Sequence, residues 1–433
     1  MQIRGGLAAS AVALPRRRDL TSALHRILGV RLVNIRSILL AGLLSTAAGA
    51  ALAQTPAEMH EAATVLDTHF DTPANFGADG WSIMERHDVA VDGTQVDYPR
   101  MVEGGVDGGV FVIFTPQRGR GPAADAEARD HALVRTGEIL QMTAREHEHF
   151  ALVTTPAEAA AAEAAGKKFV FISIENGAPV AGDLTLMDSF YKLGVRMMGP
   201  VHFANNDLAD SSTDPKGPEW GGLSEKGRAF VARANQLGVV IDPSHASDQT
   251  LDQILDLSTA PVILSHSGVK AVYDHPRNIP DDLLRKLAAK GGVIQVNAFS
   301  GYMVDVPRIP ERQAALTALT AKYGQRRDVA AENRDAYLAE LAAIEAAYPL
   351  PRANLDDLMK HILHVVEVAG IDHVGLSGDF DGGGGIEGLE DVTTFPTLTA
   401  RLVAAGFTQD DLNKFWGGNA LRVFGEVQAA AAP

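Results

Sequence analysis

The sequence predicts a (β/α)8 TIM-type barrel, and three observations carry that expectation. Eight short apolar runs rich in Val and Ile recur between residues 65 and 381. They lack polar alternation, as strands covered on both faces of a parallel sheet do. The stretches between them carry helical periodicity, the alternation from which α/β folds are built. The first run leads into Thr72-Pro73-Ala74-Asn75 instead of a glycine-rich phosphate turn, which argues against a doubly wound open sheet.

In order, the strands are VLDTHFD (65–71), GVFVIFTP (109–116), FVFISIEN (169–176), VRMMGPVH (195–202), VVIDPSH (239–245), PVILSHSG (261–268), VIQVNAF (293–299) and HVGLSGDFD (373–381). Ser224–Leu237 reads as a helix with Ser224 at its N-cap and Phe230, Val231, Ala234 and Leu237 on one face. Asp281–Lys290 and Asp356–Ala369 read similarly, the second ending at Gly370. Residues 301–351, rich in Ala, Arg and Glu, form a helical insertion between strands seven and eight. A βα insertion lies on the catalytic face of a barrel, so this one is a lid or an oligomer contact, with a homodimer as the oligomer to consider.

Composition narrows the function. The chain has 433 residues, 38 Lys+Arg against 54 Asp+Glu, a net charge of −16 and no cysteine. This excludes a disulfide scaffold, a thiol nucleophile and a thiolate-bound metal. The acidic balance argues against a nucleic-acid partner. Residues 1–53 hold seven Arg and one acid, and end in the uncharged run Ile38–Ala53. That layout predicts a removable signal segment cut after Ala53, a mature domain of 54–433, a periplasmic or secreted location and no stable membrane anchor. Arg17-Arg18 adds a twin-Arg route as an alternative to general secretion. Removing the leader leaves 31 basic against 53 acidic residues, a net charge of −22.

The costly polar residues fall at strand ends. His69 and Asp71 close strand one and share a face, being two apart. Glu175, His202, His245, His266 and Asp379 close strands three, four, five, six and eight. In a closed parallel barrel these ends meet at one mouth, where so many ionisable groups need compensation. A pair of divalent cations supplies it, Zn2+ being the default for imidazole and carboxylate donors. Each residue also has a plainer reading: Glu175 could pair with Arg196, and Asp379 and Asp381 could be turn formers before Gly382.

The stretches GLSEKGRAFVARANQLGVVIDPSHAS, PVILSHSGVKAVYDHPRNIPDDLLRKLAAKGGVIQVNAF, HILHVVEVAGIDHVGLSGDFDG and GGNALRVF, with VLDTHFD and ISIENG, resemble the membrane (renal) dipeptidase family of the amidohydrolase superfamily. The resemblance implies two Zn2+ ions bridged by Glu175, with His69 and Asp71 as ligands of one and His245 and His266 of the other. It implies hydrolysis of dipeptides by a metal-activated hydroxide, with Asp379 as acid/base and His202 binding substrate and transition state. It implies that Arg277, of DHPRN, receives the substrate carboxylate. Arg277 could otherwise pair with Asp274 or Asp281. Two departures from the family pattern stand out: Phe70 replaces the usual Asn between the first two ligands, and Asn176-Gly177 replaces Gly-Gly after Glu175. They carry a second expectation, a periplasmic relative that tailors or binds a peptidic secondary metabolite without general dipeptidase activity.

Overall fold

The computed structural model describes residues 54–116 and 119–431. The expected leader, 1–53, lies outside the described residues. The eight expected strands all form: β1 (Leu66–Phe70), β2 (Gly108–Ile113), β3 (Lys168–Ile174), β4 (Val195–Met198), β5 (Val240–Ile241), β6 (Ile263–Val269), β7 (Val293–Asn297) and β8 (Val374–Ser377). Apart from Lys168 and Arg196 their residues are buried, as the unbroken apolar runs anticipate.

Pairing is parallel throughout. One ladder runs β1-β2-β3-β4-β5 and a second runs β8-β7-β6. Side chains supplement or replace backbone at the two seams between the ladders. From β8 to β1 there is a single bridge, Phe70 with Phe380, in which the Asp71 amide donates to the Phe380 carbonyl at 3.0 Å. Asp67 reinforces it, accepting from the amides of Gly378 (2.7 Å) and His69 (2.9 Å). Between β5 and β6, Asp242 accepts from the Ser265 amide at 3.0 Å and from its hydroxyl at 2.5 Å. Two further strands were too short to register as apolar runs. Phe150–Leu152 pairs with the start of β3, and Asn278–Ile279 with the end of β6.

The helices form where expected. Ser224 caps Glu225–Leu237, its side chain accepting from the Gly227 amide, and Phe230, Val231 and Ala234 are buried. The helix Leu355–Ala369 starts on a capping box at Asn354 and stops at Gly370, whose φ of 91° suits glycine. The insertion contains two helices, Pro310–Tyr323 and Arg334–Ala347, around a small core of Leu319, Val329 and Tyr337. Its arginines reach loops on the β1 side: Arg327 donates to Asn75 Oδ1 (3.0 Å) and Arg326 to the Ala90 carbonyl (2.5 Å). Among the described residues no helix is long and apolar enough to cross a membrane.

His361 is buried on Leu355–Ala369, and burial pushes its imidazole down to about 4. Its Nδ1 accepts from the Val269 amide at 3.2 Å, so the neutral ring is the form the fold selects. A depressed histidine contributes stability above its ordinary value of 6.5, and that contribution is lost as pH falls toward 4. The loss is worth up to about 3 kcal/mol. Urea unfolding of metal-free protein at pH 7 and pH 4.5 checks this: His361→Gln is expected to lose less stability between the two than the wild type.

Candidate metal centre

The ligand-type residues reach the mouth from different depths. His69 lies within β1 and Asp71 just after it, while Glu175 immediately follows β3. His202 stands four residues beyond β4, in a loop rather than at a strand end, because β4 stops at Met198 before Gly199-Pro200. His245 follows the two-residue β5 through a turn, and His266 sits in the middle of β6. Asp379 lies two residues past β8 with φ of 51°, and Asp381 has φ of 65°. These are the only non-glycine residues with positive φ among the described residues, and such backbone is kept where the surroundings enforce it. Gly382 follows because a Cβ there would sit 2.0 Å from Asp71 Oδ2 and 2.8 Å from Asp379 Oδ1.

Glu175 is the hub. Its Oε1 lies 3.0 Å from His245 Nε2, 3.4 Å from both His202 and His266 Nε2, and 3.6 Å from His69 Nε2. His69 Nε2 is also 3.5 Å from Asp71 Oδ2, and His245 and His266 bring their Nε2 atoms within 2.8 Å of each other. All seven residues are buried. Three trios have donor atoms close enough to share an ion: His69, Glu175 and His266; Glu175, His202 and His245; and His69, Asp71 and Asp379.

Electrostatics follows from this packing. Burial works to raise Glu175, but His202 and His69 hold its carboxyl well below the ordinary range. Burial, with the Arg277 charge and neighbouring imidazoles, drives His245 and His266 well below theirs, so both are neutral, the form in which an imidazole can bind metal. His69 resists burial because Glu175, Asp71 and Asp379 surround it, and it is raised to about 10. Burial pushes Asp379 up to about 6, with Asp71 and Glu175 adding to it; Asn297 Nδ2 donates to its Oδ2 at 3.1 Å.

Arg277 is buried beside this cluster. Its Nη2 donates to the His266 carbonyl at 3.0 Å and lies 3.2 Å from His245 Nε2. Among the described residues its Nε and Nη1 have no hydrogen-bond partner. Asp281 is not its partner: that carboxylate engages His364 at 2.8 Å and Arg285 at 3.5 Å. Arg196 does not pair with Glu175 either, donating instead to the Tyr191 and Val195 carbonyls.

The donor set fits divalent metal. His69 Nε2 is a buried orphan, and four imidazole nitrogens converge on one carboxylate oxygen. Buried polar atoms left this way are rare unless a ligand satisfies them. The two departures from the family pattern sit outside the cluster. Phe70 packs in the hydrophobic core against Phe111 and Phe380, on a face where Gly109 leaves room for its ring. Asn176 ties loops together, donating to the Thr115 carbonyl and accepting from the Ala178 amide and Asn206.

Sequence reasoning missed the residues behind the candidate ligands: Asp67, Asp242, Ser265 and Asn297. Asp67 is two residues before His69 and Asp242 three before His245. A carboxylate inside an otherwise apolar strand was the available signal, since it is too costly to bury without dedicated donors. Burial pushes Asp67 up to about 7 even with two amides donating to it.

A parallel α/β barrel with imidazoles and carboxylates gathered at its mouth defines a metal-dependent hydrolase of the amidohydrolase type. The family model for membrane dipeptidase (peptidase family M19) matches residues 53–433. The chain therefore belongs to the membrane dipeptidase family, whose members are metallo-dipeptidases. Dipeptidase aclJ of Aspergillus oryzae is 30% identical over 345 residues, spanning 78% of this chain and 71% of that protein. An uncharacterized dipeptidase of Schizosaccharomyces pombe is 34% identical over 255 residues, 58% of this chain and about half (52%) of that one. The crystal structure of the probable dipeptidase PvdM from Pseudomonas aeruginosa superposes with a TM-score of 0.74 at 31% identity, covering 87% of this chain and 98% of that one.

Proposed function

We propose that this chain is an exported, binuclear zinc dipeptidase. The observation that carries the reading is Glu175 Oε1, placed within 3.6 Å of four imidazole nitrogens contributed by separate segments. His69 and Asp71 would hold one Zn2+, His245 and His266 the other, with Glu175 bridging. When bound, the ions supply Lewis acidity that acidifies water and polarises the scissile carbonyl.

The chain's own groups do the rest. Asp379, its carboxyl raised and anchored by Asn297, takes the proton from the attacking water and returns it to the leaving amine. His202, on the loop after β4, donates to the developing oxyanion. Arg277 keeps Nε and Nη1 without partners among the described residues, and its guanidinium charge would receive the free carboxylate of a dipeptide. Phe70 and Asn176 lie outside the cluster, and all the chemical groups are retained, so hydrolysis is favoured over a binding role. The basic, apolar segment 1–53 supports removal after Ala53 and a periplasmic or secreted location.

The test combines metal analysis with hydrolysis of a stereochemically defined dipeptide panel and the matching dipeptide amides. Two zinc ions per chain, chelator-sensitive activity and a preference for the free acid of at least ~10-fold are expected. Loss of a hydrogen-bonded charged partner is typically worth that much. In Arg277→Met the preference should collapse through a higher KM for the acid. A metal-loaded protein inert toward the whole panel would remove the dipeptidase reading.

A further inference from the structure

The Ser265 hydroxyl occupies a position that none of the roles above uses. It is fully buried on β6, next to His266 in sequence. Its Oγ lies 2.5 Å from Asp242 Oδ2, 2.8 Å from His266 Nδ1 and 3.4 Å from His69 Nδ1. One oxygen thus touches an imidazole from β1 and an imidazole from β6. Those rings lie with centroids 3.8 Å apart, and each would serve a different ion.

The proton count decides what this contact does. A serine hydroxyl has one proton and two lone pairs. Asp242 is an acceptor already held by three donors on its other oxygen: the amide and hydroxyl of Ser244 and the amide of Ser265. The Ser265 proton therefore goes to Asp242 Oδ2, the shortest of its contacts. What remains on Ser265 is lone pairs, so the facing Nδ1 atoms of His266 and His69 must carry the protons. That leaves Nε2 of each ring as the atom turned toward Glu175. The hydroxyl is itself held in place: the Ser265 amide is on Asp242, and its carbonyl accepts from Thr68 Oγ1 of β1 at 2.8 Å.

We infer that Ser265, backed by Asp242, is a positioning residue common to both ion sites. It accepts from Nδ1–H of His69 and of His266, so that Nε2 is the atom each ring offers to metal. This rests on the assignment of His69 and His266 as ligands. A histidine ligand oriented through its second nitrogen typically loses 10–100-fold in metal affinity when that partner is removed.

The experiment is chelator-competition titration of zinc into wild type, Ser265→Ala and Ser265→Thr, with thermal unfolding of each metal-free protein. Ser265→Ala is expected to weaken both zinc steps about 10–100-fold while the metal-free protein keeps its fold, and Ser265→Thr to recover most of the affinity. Unchanged affinities, weakening of one step alone, or a loss of metal-free stability without a change in affinity would overturn the inference. Histidine 15N spectra of metal-free wild-type protein decide the matter independently should Ser265→Ala fail to fold. A protonated Nδ1 and a bare Nε2 on the neutral His266 ring are expected, and a bare Nδ1 on His266 would sink the proposal. Failure of the wild type itself to bind zinc would count against the ligand assignment, while the tautomer spectrum would still test Ser265.

Discussion

Glu175→Gln is expected to reduce bound zinc from two ions per chain to one or none, and to abolish dipeptide hydrolysis within the sensitivity of a standard assay. The substitution is nearly isosteric and removes the charge on which four imidazole nitrogens converge. An amide oxygen is a far weaker ligand than a carboxylate oxygen and cannot bridge two cations. Affinity should therefore fall by more than the roughly 10–100-fold that follows loss of an outer-shell partner. Elemental analysis after dialysis reads the stoichiometry directly. Retention of two ions and of wild-type turnover would remove Glu175 from the centre of the site.

Asp379→Asn should do something different. The Asn297 bond to the side-chain oxygen survives, and the proposed ligands His69, Asp71, Glu175, His245 and His266 are untouched, so zinc content should stay at the wild-type value. What is lost is the proposed proton acceptor, a contribution of about 10²–10⁴-fold in kcat. The pH profile separates this from a packing defect. Burial lifts Asp379 to about 6 in the metal-free protein, and cations nearby favour the carboxylate and bring it lower. Wild-type kcat/KM should accordingly fall on the acid side, at or below pH 6, as Asp379 becomes protonated and can no longer accept. In Asp379→Asn that limb should vanish from the residual rate. A wild-type profile with an unaltered acid limb in the variant would assign the proton transfer elsewhere.

Much of this architecture was legible before any coordinates. The apolar runs marked all eight barrel strands because strands covered on both faces must be apolar. The histidines and acids at their ends were conspicuous because such groups are costly in that setting. Less visible was how they reach one another. His266 is in the middle of β6, and His202 stands on a loop whose path depends on Gly199-Pro200. His266 reaches Glu175 from within its strand and His202 from its loop, placements that a linear pattern does not encode. Phe70 was misleading for a similar reason. A change between two ligands looked like a change in the site, yet a residue between two same-face neighbours faces the other way and fills the core. Ser265 was invisible because a serine beside a histidine has no distinctive signature until its partners are placed around it.

The seams between the two ladders bear on how this molecule assembles. His245 follows β5 and His266 belongs to β6, the pair of neighbours whose backbones do not join. His69 and Asp71 come from β1 and Asp379 from the end of β8, neighbours joined by one backbone bridge. The proposed metal centre is therefore complete only where both joints are shut. Bound metal would act as a clasp across both joints. Metal should slow amide exchange chiefly along these two joints, leaving the interior of each ladder as protected as before. A partly folded chain, with one ladder formed and the other not, would have no competent centre with which to cleave peptides.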